Sequence, residues 1–136
     1  INIGEEKQEN QTQYPKVYEL EFDMFLKSLG SIGVTYYDSF KSNNFNDIRA
    51  VLDRQTFNYD FLKNELQIPN KIHIQIILNR QDELIYNNDM FDAFLLKHKN
   101  DDLNYDSLHK CGIITIDAFW RHIHKLNIDT TKFMHS

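Results

Sequence analysis

The sequence has 136 residues, 41% apolar and 13% aromatic, with a net charge of −5, which allows one domain or two small lobes whose large rings can build compact cores. Residues 1–16, 17–87 and 88–136 carry 2, 7 and 6 basic side chains against 3, 10 and 7 acidic ones, so the positive footprint that nucleic-acid binding requires is lacking in every segment. The single Cys111 cannot form an internal disulfide, which points to a reducing, cytoplasmic setting, and apolar runs such as Ile76 to Leu78 are far too short to span a bilayer.

Four Gly and two Pro are few and suit a mainly all-α chain. Residues 1–16 are polar and aperiodic, so they read as an arm or linker rather than a signal peptide. Without a starting Met, the chain reads as a piece of something longer. A helix is expected from near Pro15, with Phe22, Phe25, Leu26 and Leu29 on one face, ended by Gly30 and Gly33. Thr35 with Asp38 resembles a capping box for a second helix carrying Phe40. "SNNFND" breaks that helix, and Phe45, Ile48, Val51 and Leu52 fit a short third one. Asn58 caps a fourth, which buries Phe61, Leu62 and Leu66 and closes at Pro69.

"KIHI" alternates like a short strand, and "QIILNRQDELIYN" reads as a helix. Asn88 or Asp89 is expected to cap a further helix with Phe91, Phe94 and Leu95, interrupted by "KHKNDD". "LNYDSLHKC" gives one or two helical turns stopped by Gly112. "IITI" is short and β-branched, and Thr115 caps a last helix carrying Ile116, Phe119, Trp120 and Ile123. Phe25, Leu29, Phe40, Leu62, Leu66 and Ile77 are the expected core of a first lobe over 17–87, with a second lobe over 88–136.

"SLGSIGVTYYDSF", residues 28–40, returns as "SLHKCGIITIDAF", residues 107–119, and a weaker copy stands between them. Leu29, Leu66 and Leu108 each end a helix. Thr35, Ile72 and Ile114 follow six residues later, and Phe40, Ile77 and Phe119 five beyond those. The unit is helix, short loop, helix. It resembles the EF-hand family, as in calmodulin and the myosin light chains, with Gly33, Asn70 and Gly112 at the sixth loop position and Thr35, Ile72 and Ile114 at the eighth.

The resemblance implies degenerate hands paired through short two-stranded bridges, one joining 34–36 to 71–73. It also implies an irregular third hand in which 99–111 can be an insertion, and a fourth that is truncated or absent. Calcium needs oxygen ligands at positions 1, 3 and 5 and a carboxylate at 12. Position 12 is Ser39, Ile76 or Ala118, so no metal and no cofactor is expected. His122 and His124 stand about 200° apart on a helix and cannot share a zinc ion. No phosphate loop, nucleophile elbow or paired catalytic motif occurs, so neither an enzyme nor a small-molecule substrate is expected.

What the resemblance implies is a calcium-independent, light-chain-like module for an amphipathic helix of a larger protein, a myosin neck being one plausible target. Phe22, Phe91, Phe94, Phe119 and Trp120 would be the partner-binding residues. A second resemblance, over residues 22–86, is to the sterile alpha motif (SAM), a protein-association module. It rests on Phe25-Leu26, Leu29-Gly30, Tyr36 with Phe40, and Leu66-Gln67-Ile68 in place of that family's Leu-Gly-Ile. Ile72-His73-Ile74 stands where the family has Gly-His-Arg, with only the His in common. Paired hands with a strand bridge would favour the first reading, and a five-helix bundle without strands the second.

Overall fold

Residues 14–98 and 103–126 are described by a computed structural model of the chain. The rest of the 1–16 arm, part of the 99–111 segment and the chain beyond Leu126 lie outside the described residues. The fold is mainly helical: α1 (Tyr18–Lys27), α2 (Ser31–Ser42), α3 (Ile48–Val51), a π-helical segment Phe61–Glu65, α4 (Lys71–Lys97), α5 (Tyr105–Cys111), α6 (Ile116–His122) and a 3-10 turn Ile123–Lys125. No strand occurs among the described residues; Leu103 alone sits in an isolated bridge.

Helix α1 forms where Phe22, Phe25 and Leu26 share a buried face, with Glu19 and Glu21 in its first turn and Lys27 in its last, as the helix dipole favours. Gly30, at φ 64°, turns the chain and is the N-cap of α2. Gly33 does not end α1 as expected but lies buried inside α2. Thr35 is not a cap either: its Oγ1 donates to the Ser31 carbonyl at 2.8 Å, a helix-interior bond. Asn44, at φ 58°, closes α2 within the expected break.

Asp47 caps α3 by accepting from Arg49 N at 2.9 Å, and Asn58 accepts from Phe61 N at 3.0 Å at the start of the fourth helical turn. Gln67, at φ 57°, ends that turn, and Ile68 N donates to the Leu62 carbonyl at 3.0 Å, six residues back, one residue wider than the capping bond that closes an α-helix, in keeping with the π-helical turn before it.

"KIHI" is the first turn of α4, whose 27 residues run through Asn88 and Asp89 without a break. Asn70 fixes the start by accepting from Ile72 N at 2.8 Å and His73 N at 3.2 Å. In a strand Ile72 and Ile74 would point the same way; here Ile72 is 69% exposed and Ile74 is 1% exposed. Thr35 and Ile72 both lie inside helices, so the expected bridge between 34–36 and 71–73 is not formed. Asn88 does not cap; its Nδ2 donates to the Ile114 carbonyl at 2.8 Å and to Tyr105 Oη at 2.9 Å.

Two apolar clusters divide the interior. The first contains all six residues expected to form a core, Phe25, Leu29, Phe40, Leu62, Leu66 and Ile77, with Phe22 and Phe57 among them. The second gathers Phe91, Leu95, Leu108, Ile113 and Phe119 around Val17 from the start of the chain. Helix α4 serves both, and Ile114 reaches back into the first. Gln81, buried on α4, donates through Nε2 to the carbonyls of Val51 and Phe57, both at 2.8 Å, and so ties the long helix to the α3 region.

The C-terminal pair α5–α6 is locally encoded and locally anchored. Asn104 caps α5, Gly112 stops it at φ 98°, and Thr115 caps α6 by accepting from Ala118 N at 3.1 Å. A Cβ on Gly112 would stand 2.5 Å from Tyr18 Cα, so the turn lies directly against the start of α1. Val17 N donates to the Cys111 carbonyl at 2.7 Å, and Arg49 Nη1 to the Lys110 carbonyl at 2.7 Å.

Candidate functional site

The five residues expected to meet a partner do not form one surface. Phe22 lies in the first cluster, and Phe91 and Phe119 in the second; all three are completely buried. Phe94 is half-buried, and only Trp120, at 38% exposure, reaches the surface. Its ring lies edge-on to Phe119 and Phe94, at 5.3 and 6.4 Å between centroids. Edge-to-face rings of this kind are packing, and Phe22, Phe91 and Phe119 are unavailable to a partner in this conformation.

Glu21, on the inner side of α1, is the most constrained polar group. It accepts from Arg121 Nε at 3.0 Å and Nη2 at 2.8 Å, and from His122 Nε2 at 2.7 Å. These bonds raise the Arg121 guanidinium still further above its high ordinary value. Because an ionised carboxylate only accepts, His122 Nε2 carries a proton in this pair. The group joins α1 to α6 across a hundred residues of sequence and is wholly satisfied at the carboxylate, which makes it a structural clamp.

A second polar node lies around Arg49, which donates through Nε to Asp47 at 2.9 Å and stacks on the Tyr18 ring at 4.3 Å. Burial alone would raise the Asp47 carboxyl, but hydrogen bonds from the Arg49 side chain and backbone outweigh it and hold the group below its usual range. Burial, helped by the Arg49 charge, pushes the His109 imidazole down. Burial pushes the Cys111 thiol up, which suits a core side chain rather than a nucleophile. Among the described residues no group of three or more His, Cys, Asp or Glu is placed to hold a metal ion. No helix there is long and apolar enough to cross a membrane.

The surface feature that the sequence reading missed is a cleft of about 500 Å³ between the outer faces of α1 and α2. Its lining includes Leu20 and Met24 from α1 and Val34 and Tyr37 from α2, together with the charged Asp23, Lys27 and Asp38. Val34 is 79% and Leu20 47% exposed, so these are uncovered apolar side chains rather than core. Their signal in the sequence was a second i, i+4 pair on α1, Leu20 and Met24, beside the stronger Phe stripe. Comparison with protein-family models, with curated proteins and with solved structures finds no match to this chain.

Proposed function

We propose that the chain is a non-catalytic protein-association module of the sterile-alpha-motif type. The observation that carries this reading is the helix order. Four helical elements, α1, α2, α3 and the Phe61–Glu65 segment, precede the long α4, with no strand between them. Of the residues quoted for the resemblance, Leu29-Gly30 and Leu66-Gln67-Ile68 fall at turns between helices. Leu66-Gln67-Ile68 makes the turn into α4, and Gln67 takes the left-handed conformation that glycine, the family's residue there, adopts most readily. His73, the one match to Gly-His-Arg, meets Tyr36 Oη through Nδ1 at 2.5 Å and links α2 to the first turn of α4.

A light-chain-like module draws no support from helical backbone at 34–36 and 71–73. The buried Glu21 carboxylate is engaged in a clamp, while apolar side chains stand in the open, a division that suits docking better than chemistry. The reading is tested by retention, with the chain as bait beside its Val34→Glu and Ile72→Glu variants. The expected result is one defined protein, or the chain's own second copy, held with micromolar affinity and released by one of the two substitutions. A bait that retains nothing and does not self-associate overturns it.

A further inference from the structure

The α1–α2 cleft has a charge pattern that fits itself. Helices α1 and α2 run antiparallel from the Gly30 turn: Phe22 meets Phe40 at 5.4 Å between ring centroids, and Lys41 reaches Asp23 at 2.9 Å. Lys27 therefore lies at the turn end of the cleft. Asp38 lies one helical turn beyond Val34, toward the open end. Neither makes an ion pair among the described residues, whereas Asp23 is already neutralised by Lys41. Leu20, Met24, Val34 and Tyr37 fill the space between. We infer that this cleft is an isologous interface with a second copy of the chain, the two α1–α2 hairpins packing face to face about a two-fold axis. The inference rests on the association-module reading and names its partner.

Two observations choose a second copy over another occupant. The first is polarity. A two-fold axis through the middle of the cleft reverses one copy, bringing Lys27 of each opposite Asp38 of the other and apolar side chains onto apolar side chains. A partner helix of one charge sign would leave one end of the cleft facing like charge or none. The second is exposure. Leu20, Met24, Val34 and Tyr37 are 47%, 36%, 79% and 41% exposed and stand together in one cleft, an uncovered apolar patch of the kind that marks an interaction site. Two such patches meeting make a small contact beside the roughly 1,200–2,000 Å² of specific interfaces, so a dimer that forms and parts with concentration is expected.

The inference is tested by sedimentation velocity of the whole chain over about 5 to 500 µM, with circular dichroism confirming the fold of each variant. A monomer–dimer transition is expected, weakened at least ~10-fold by Val34→Glu and by Leu20→Glu, both on exposed positions. Lys27→Glu and Asp38→Lys should each weaken it, and the two changes combined should restore it, because the exchanged charges face each other again. A dimer indifferent to Val34→Glu and unrepaired by the charge exchange overturns this interface while leaving the association reading intact. A chain monomeric throughout, yet holding another protein that Val34→Glu releases, overturns the second copy as occupant. A chain that neither self-associates nor retains a protein sinks both readings together.

Discussion

A Cβ placed on Gly33 would stand 1.9 Å from the carbonyl oxygen of Leu26, closer than any side chain can sit. Helices α1 and α2 therefore cross with backbone almost against backbone, and this approach sets the floor of the exposed cleft. Helix propensity alone says that Gly33→Ala should stabilise α2 by up to ~1 kcal/mol. The contact says the opposite: overpacking of this kind costs about 1–3 kcal/mol. Urea denaturation decides between them. A midpoint unchanged or raised by Gly33→Ala would mean that the two helices stand further apart.

The first apolar cluster is predicted to respond strongly to truncation. Phe40 and Leu62 are both completely buried, so Phe40→Ala and Leu62→Ala should each cost about 2–5 kcal/mol. Ile72→Ala, on an exposed position one turn before Ile76, should stay within about 0.5 kcal/mol. Equal midpoints for Ile72→Ala and Leu62→Ala would put α4 in the wrong rotation about its own axis.

Much of this interior was legible in the sequence, because its signals are local and strong. Phe25, Leu29, Phe40, Leu62, Leu66 and Ile77 stand at helical spacing, and Asn58, Gly112 and Thr115 act at the helix ends where their chemistry placed them. Ile72-His73-Ile74 misled because three residues cannot separate a period of 2 from a period of 3.6. Only the Asn70 cap and the continuation to Ile77 resolve it. Asn88 looked like a cap because Asn so often is one; its acceptor, the Ile114 carbonyl, is distant in sequence. The cleft was missed for a related reason. The largest rings give the strongest apolar signal, and Phe22, Phe91 and Phe119 are completely buried.

Glu21 and its two partners could not be paired from sequence at all, and their removal should be costly. Breaking a buried ion pair from one side costs ~3–5 kcal/mol. The Arg121 side chain is 36% exposed, which places Glu21→Ala toward the lower end of that range. Replacing Glu21, Arg121 and His122 together by apolar residues of similar size should cost less than the single change, because no buried charge is left without a partner. A Glu21→Ala midpoint equal to the wild type would show that water reaches the cluster.

His109 gives a pH dependence of defined sign. Burial first, and the Arg49 charge second, lower its pKa from 6.5, with Asp106 and Asp47 opposing. The unfolded chain therefore takes up the proton before the folded one. Stability is unaffected well above pH 6.5, declines as pH falls through that value, and levels off once the folded imidazole is also charged. His109→Gln removes this step. The difference in urea midpoint between wild type and variant should then change between about pH 7.5 and 5.5, with the wild type losing more. A difference that is the same at both pH values would show that His109 is solvated.

Trp120 separates the possible partners. It lies on α6, away from the α1–α2 cleft, with its ring against Phe119 and Phe94 and 38% of its surface open. Its emission should be intermediate in wavelength and quenched by iodide. Trp120→Ala should cost less than Phe119→Ala, whose fully buried ring is worth about 3–5 kcal/mol. Two copies meeting through Leu20 and Val34 leave Trp120 as open as before, so its emission should not move as the chain is concentrated and dimer forms. A blue shift that grows with concentration, together with loss of iodide quenching, would place the contact on α6 instead and assign Trp120 to the interface.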